Sequence, residues 1–318
     1  MNAGYRPLLV KHQEEGYRVC DIGIYNEQKL QVEPLSLSPA LTWVDYRPLA
    51  VFPGGTGIMG VVTTPPAEAD GVTSARNMGP QPIMLPVGDD TIIRMDTVIY
   101  GDSPSRFEML RQFFPDGGWF TVPLPRPPLR TIALPSQSVS ISSYFVMGTR
   151  VWISVTGEGT FSLDARLGAW RMEFPEELHR LEGRAFFVPE LGAVVGLTGG
   201  DRLLCSYKFE HAKDGSQTLN WHNTWREALP WECFDRGFAP RSDMAGLAYL
   251  GDGRFCICRP VRKLGDHTGF KNNMYSFLVL ELRRCLPDSN ELELAKRGQV
   301  HCQGLFDEGY TRDLYFIQ

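Results

Sequence analysis

Helical periodicity is almost missing from the 318 residues. No segment carries apolar side chains at i, i+3, i+4 and i+7 for more than about three turns. Long hydrophobic runs are missing too. A membrane helix needs roughly 20 apolar residues, and the longest stretches here, such as Met274–Leu282, are strand-sized. Met1–Pro7 shows no basic stretch followed by an apolar core and a small-residue cleavage site, which speaks against a secretory signal. Gly4 is not the second residue, so N-myristoylation does not fit. The cysteines are few and odd in number: Cys20, Cys205, Cys233, Cys256, Cys258, Cys285 and Cys302. Scattered in this way they suit a reducing compartment and not a disulfide framework. No charge of one sign dominates, with 32 basic against 37 acidic residues and a net charge of −5. The slight acid excess argues against holding nucleic acid through bulk charge. The expectation is a soluble, monomeric protein of the cytoplasm, the nucleus or both, free of membrane.

What is present is apolar matter in short pieces. Hydrophobic residues make up 43% of the chain and charged ones 22%, which excludes wholesale disorder. With 32 glycines and 23 prolines, the recurring pattern is a short apolar run, a Gly-containing turn and a second apolar run. That is a hairpin signature.

Six such hairpins can be aligned, with turn glycines at Gly54, Gly88, Gly148, Gly192, Gly251 and Gly304. Their mean spacing, 250 residues over five intervals, is about 50. Short strands repeating at this period predict an all-β fold, a single β-propeller over residues 1–318. Six four-stranded blades are expected, with five blades and an N-terminal cap as the alternative. The sixth hairpin, Val300–Cys302 and Leu314–Ile317, runs out of chain after two strands. Tyr17–Tyr25 and Lys29–Glu33 would supply its missing pair, so the last blade is expected from about 16–34 and 299–318. That places Cys20 and Phe316 in one sheet. The first unit is the weakest, because Thr64-Pro65-Pro66-Ala67 stands where a third strand should follow and Ala67–Met78 is poorly patterned. Trp119, Trp152 and Trp170 are expected to anchor blade against blade.

The third and fourth units read Val151-Trp152-Ile153-Ser154, Gly157-Glu158-Gly159-Thr160-Phe161-Ser162-Leu163-Asp164 and Gly168-Ala169-Trp170, then Gly183-Arg184-Ala185-Phe186-Phe187-Val188-Pro189-Glu190-Leu191-Gly192. This stretch resembles a kelch-like propeller family that is expanded in grasses and known only as a plant domain of unknown function. Phe107-Glu108-Met109-Leu110, Gly253-Arg254-Phe255-Cys256 and Gly16-Tyr17 add to the resemblance, which covers nearly the whole chain. It implies a kelch-like propeller and no established activity. Plant kelch proteins often carry an F-box before the propeller. The repeats here begin almost at once, so a ubiquitin-ligase adaptor role would require a separate partner.

Motifs for chemistry are weak. Cys256 and Cys258 lie two apart on an expected strand and face one way. A metal would need two more ligands, and His267 and Cys285 are the nearest candidates, without standard spacing. Buried structural cysteine is the favoured reading. None of His12, His179, His211, His222, His267 and His301 sits in a zinc-protease pattern. His301 and Cys302 are adjacent on a strand, so they point to opposite faces and make a poor nucleophile and base. Asp89, Asp90, Asp116 and Asp252 occupy turns, which their backbone bonding explains without catalysis. Gly157-Glu158-Gly159 and Gly199-Gly200 precede no helix and are not phosphate loops. Pro123–Arg130 (PLPRPPLR) reads as a stiff loop before it reads as a polyproline ligand. No catalytic residue, metal ligand or cofactor is therefore assigned.

The binding candidates are aromatic. Trp221, Trp225, Arg226, Trp231, Phe234 and Arg236 fall between the fourth and fifth units, and Trp and Arg dominate interface hot spots. The bland alternative is a loop folded back on the ring. Lys263–Asn273 is a second candidate recognition loop. The sequence favours a non-enzymatic protein–protein interaction scaffold with another protein as its partner. An enzyme or small-ligand binder at the channel mouth is the alternative, and a plant factor in defence or reproductive conflict is the third.

Overall fold

The computed structural model describes residues 8–13, 16–25, 29–34, 46–51, 58–62, 83–101, 107–112, 119–130, 137–211, 217–230, 237–240, 245–264, 274–286, 291–303 and 313–317. Among these the structure is all β, with one 3-10 turn at Arg226–Ala228. The strands are β1 (Leu8–Gln13), β2 (Gly16–Tyr25), β3 (Lys29–Pro34), β4 (Tyr46–Val51) and β5 (Ile58–Val62). Then follow β6 (Ile83–Val87), β7 (Thr91–Met95), β8 (Val98–Tyr100), β9 (Phe107–Gln112) and β10 (Trp119–Pro123). The middle of the chain forms β11 (Ser138–Met147), β12 (Arg150–Val155), β13 (Gly159–Asp164) and β14 (Ala169–Phe174). Next come β15 (Gly183–Arg184), β16 (Phe186–Val188), β17 (Ala193–Leu197), β18 (Leu204–His211) and β19 (Gln217–Trp225). The last are β20 (Phe238–Pro240), β21 (Gly246–Gly251), β22 (Arg254–Lys263), β23 (Met274–Arg284), β24 (Leu292–Gln303) and β25 (Asp313–Ile317).

Four consecutive blades are antiparallel meanders: β6-β7-β9-β10, β11-β12-β13-β14, β16-β17-β18-β19 and β21-β22-β23-β24. We call them the first to fourth full blades. A short turn joins the two inner strands of each blade, and the apolar runs on either side of that turn become the paired inner strands. Each blade shares an apolar layer with the next. Ile83, Leu85 and Phe107 meet Val151, Ile153 and Phe161 between the first and second. Trp152 and Phe174 meet Val194, Cys205 and Tyr207 between the second and third. Val195, Leu204 and Trp225 meet Leu247, Leu280 and Leu292 between the third and fourth. Neighbouring positions on β12 thus serve opposite layers, because successive side chains alternate across a strand. This is the arrangement of a β-propeller.

The chain ends share a further sheet in the order β25-β1-β2-β3. Leu9 of β1 pairs with Cys20 on one side and Phe316 on the other. The make-up of this sheet corrects the expected one. The N-terminal segment supplies three strands and the C-terminal segment one. Val300–Cys302 instead continues β24 as the outer strand of the fourth full blade, where Val300 pairs with Phe277. Among the described residues the structure shows four full blades, short of the six expected. Besides the four full blades and the end sheet there is a two-stranded hairpin, β4-β5, and the expected outer strands at Ala67–Met78 lie outside the described residues.

The first strands of these sheets run round in a circle. β4 approaches β6, β6 approaches β11, and β11 approaches β16. The Phe186 and Tyr249 rings, 6.1 Å apart, bring β16 to β21. β21 approaches β25, and β25 approaches β4.

The anchoring tryptophans act between blades. Trp152 stacks on Phe145 at 5.6 Å and meets Phe209 of the next blade edge-on at 5.9 Å. Trp170 meets Phe107 of the preceding blade at 5.6 Å. The Trp119 side chain lies outside the described residues. Pro123–Arg130 is fastened down as a loop. Trp170 Nε1 donates to the Pro125 carbonyl at 2.8 Å, and the Arg130 amide donates to Glu158 at 2.7 Å.

Candidate interaction surface

The aromatic cluster expected between the third and fourth full blades is divided by the structure. Trp221 and Trp225 belong to β19, the outer strand of the third blade, and not to a linker. Arg226 follows on the 3-10 turn and is exposed. Trp231, Phe234 and Arg236 lie outside the described residues, as does most of Lys263–Asn273 including His267.

The two tryptophans play different parts. Trp225 is 6% exposed and sits in the apolar layer against the fourth blade, opposite Leu204. That burial corrects its place among the binding candidates, since a partner cannot reach it. Trp221 is 43% exposed and lies opposite Tyr207. The ladder explains the division. Ser206 pairs with Asn223 while Tyr207 pairs with Trp221, so His222 is an extra residue in β19. Positions four apart on a regular strand share a face, and a one-residue bulge reverses that.

Trp221 has a neighbour that sequence reasoning missed. The Arg180 guanidinium lies over its ring, 4.3 Å from the centroid. Arg180 sits in the connection between β14 and β15, and its backbone amide donates to the Tyr207 hydroxyl at 3.2 Å. Tyr207 is itself largely buried, and that burial pushes its phenol up. The indole Nε1 donates to Thr224 Oγ1 at 3.3 Å. Asn220 Nδ2, on the same strand, donates to Glu210 at 2.7 Å. The result is an open cation–π pair on the outermost strand of a blade, held from below by a tyrosine. No signal marked Arg180 in the sequence, because the blade geometry alone brings that connection to β19.

The inner strands offer a second location. Arg184, on β15, lies over the Phe186 ring at 5.2 Å, and Phe186 meets Tyr249. Burial pulls the Arg184 guanidinium below its usual value, while neighbouring Tyr144 pushes the other way. Tyr249 donates to Glu190 Oε1 at 2.7 Å, and the Gly253 amide donates to the same oxygen at 2.8 Å.

The remaining candidates are placed as follows. Cys256 and Cys258 are both fully buried on β22, and burial pushes the Cys256 thiol up to about 12. Cys285 is exposed. His301 sits on β24 with its Nε2 3.2 Å from Gln299 Nε2. Asp252 holds a left-handed turn position at φ 53°, and Asp90 accepts from the Thr91 hydroxyl. Among the described residues, no three His, Cys, Asp or Glu side chains gather closely enough to hold a metal ion. Among them, too, no helix is long and apolar enough to cross a membrane.

Comparison with known proteins adds a family. The family model described as "Protein of unknown function (DUF1668)" matches residues 61–299. No curated protein matches the chain significantly. Among solved structures, one similar fold is the β-propeller domain of Cps50 (Swd1) from Myceliophteria thermophila. It is 9% identical, over 93% of this chain and 87% of that one, with a TM-score of 0.39. Another is the N-terminal domain of Nup159, 10% identical over 79% of this chain and 61% of that one, with a TM-score of 0.31.

Proposed function

The chain belongs to that family of proteins of unknown function, and we propose that it is a non-enzymatic protein–protein interaction scaffold. The observation that carries the reading is the Trp221–Arg180 pair. A large aromatic exposed on an outer strand beside a guanidinium is the residue pairing that anchors interfaces. A propeller suits the task, because a rigid ring presents outer strands and loops without having to reorganise on binding.

The finer features are proposals of the same kind. The blade count is six, with β4-β5 as the inner half of one blade; the circular order of the first strands supports this. The ring is of kelch type and belongs to a plant cell. The resemblance of Val151–Gly192 to the grass-expanded family supports that assignment. The working compartment is the cytoplasm or nucleus, as the scattered, odd-numbered cysteines of the sequence suggest, and the chain acts as a monomer.

The test is affinity capture from plant-cell extract with tagged wild-type chain and with Trp221→Ala and Arg180→Ala. The expected result is a stoichiometric partner whose retention falls about thirtyfold with Trp221→Ala, the scale of a hot spot. A partner retained equally by all three would overturn this surface. A folded chain that captures nothing would favour the second reading, a small-ligand site at the channel mouth. The half-buried Arg184 on the inner strands, beside Tyr144 and over the Phe186 ring, is the observation in its favour.

A further inference from the structure

We infer that the seam between the third and fourth full blades holds a binding site for a phosphate group, centred on Lys208. Lys208 lies on β18 and is 8% exposed, and its Nζ has no hydrogen-bond partner. An ammonium so deeply buried is normally paired, because leaving it without a partner costs several kcal/mol. Two residues away, the fully buried Ser206 Oγ is also without a partner. Both side chains leave the face of β18 that carries Leu204, the face turned to the fourth blade.

The fourth blade answers with a second cation. Arg284 follows Leu282 by two on β23, so it faces the same seam where the apolar layer ends. Its Nε donates to the Glu190 carbonyl at 3.4 Å. One terminal nitrogen lies 3.9 Å from where a Gly192 Cβ would be. Gly192 precedes Ala193, the ladder partner of Lys208. The guanidinium is therefore held over the same step of the ladder as the buried ammonium. His222, the bulged residue of β19, completes the set. Burial and the Lys208 charge both push its imidazole down, and Arg284 reinforces the burial that pulls Lys208 down. The groups acting the other way are Cys285 and Glu291 on Lys208 and Glu291 and Glu210 on His222, and Glu210 already accepts from Asn220.

Donors of different kinds thus come from two blades: an ammonium, a guanidinium, a hydroxyl and an imidazole. A carboxylate offers two oxygens in one plane, whereas a phosphate offers oxygens in tetrahedral directions and suits donors spread over two sheets. The group can be free phosphate or a phosphomonoester. A bound oxyanion would relieve the unpaired ammonium and stabilise the fold by linkage.

The experiment follows thermal unfolding of the full chain at constant ionic strength, with inorganic phosphate, O-phosphoserine, acetate or sodium chloride added. Wild type is expected to gain a few degrees in Tm with phosphate or phosphoserine and none with acetate or chloride. Lys208→Met is expected to start at a higher Tm, having shed the unpaired charge, and to lose the phosphate response. Arg284→Gln is expected to weaken that response about tenfold in phosphate concentration. A stronger response to phosphoserine assigns a phosphomonoester, and a stronger one to phosphate assigns the free ion. No response in wild type, or an equal response in Lys208→Met, would overturn the site. Broadening of the 31P signal by wild type, absent with Lys208→Met, is a second readout independent of stability.

Discussion

At the scale of single residues, two glycines in similar turns carry very different constraints. Gly253 joins β21 to β22 at φ +69°, and a Cβ placed there would stand 2.4 Å from the Leu282 carbonyl oxygen. The Leu282 amide returns a bond to the Gly253 carbonyl at 2.8 Å, so strand and turn are clamped at their closest approach. Gly88, at φ +67°, has open space around its Cβ position. Gly88→Ala should therefore cost only the left-handed penalty, about 1–2 kcal/mol. Gly253→Ala should cost that and the displacement of a backbone strand, about 3 kcal/mol or more in all. Urea unfolding of the two variants at equal m-value checks the difference, and equal costs would refute the clamp. Both glycines are visible in the sequence as turn residues. Which of them is irreplaceable is not, because the obstructing carbonyl lies about 30 residues further on.

At the scale of elements, β19 shows how one extra residue decides what a strand does. Its bulge turns Trp221 towards Arg180 and Trp225 into the layer against the fourth blade. Trp225→Ala is expected to cost about 3–5 kcal/mol, the usual range for emptying a buried aromatic site. Trp221→Ala should stay within about 1 kcal/mol of wild type, since an exposed cation–π contact is worth no more than that. Chemical denaturation measures both, and a large loss for Trp221→Ala would mean that it packs the fold and does not await a partner. The strands themselves were legible. Apolar runs flanking glycine turns located the inner hairpins at Ile83–Ile93, Tyr144–Ile153 and Leu247–Cys258, because burial on both faces of an inner strand leaves continuous apolar sequence. The outer strand β19 carries Trp221 and Trp225, and there periodicity breaks at a bulge, so the cluster around Trp221 read as one group. Arg180 and the Lys208–Arg284 seam were invisible for another reason: each joins separate elements that only the ring brings together.

At the scale of the whole molecule, the sheet shared by the two chain ends is the joint of the circle. β25 pairs with β1 and also approaches β21 and β4. Removing residues 313–318 should leave β1 with an unpaired edge and part the neighbouring blades. The expected outcome is a Tm lower by at least 10 °C and a broadened transition, read by circular dichroism. A truncated chain that melts as sharply as wild type would show that the ring does not depend on this joint. The sequence indicated that both ends share a sheet, but not the division of three strands and one, because short apolar strands such as Leu8–Val10 and Val300–Cys302 fit either neighbour by pattern alone. The joint also sets a timetable for the ribosome. About 300 residues separate β1 from β25. At about 5–20 residues per second, the first strand waits roughly 15–60 s before its last partner is made. Through that interval the nascent chain exposes a sheet edge that any passing strand could occupy.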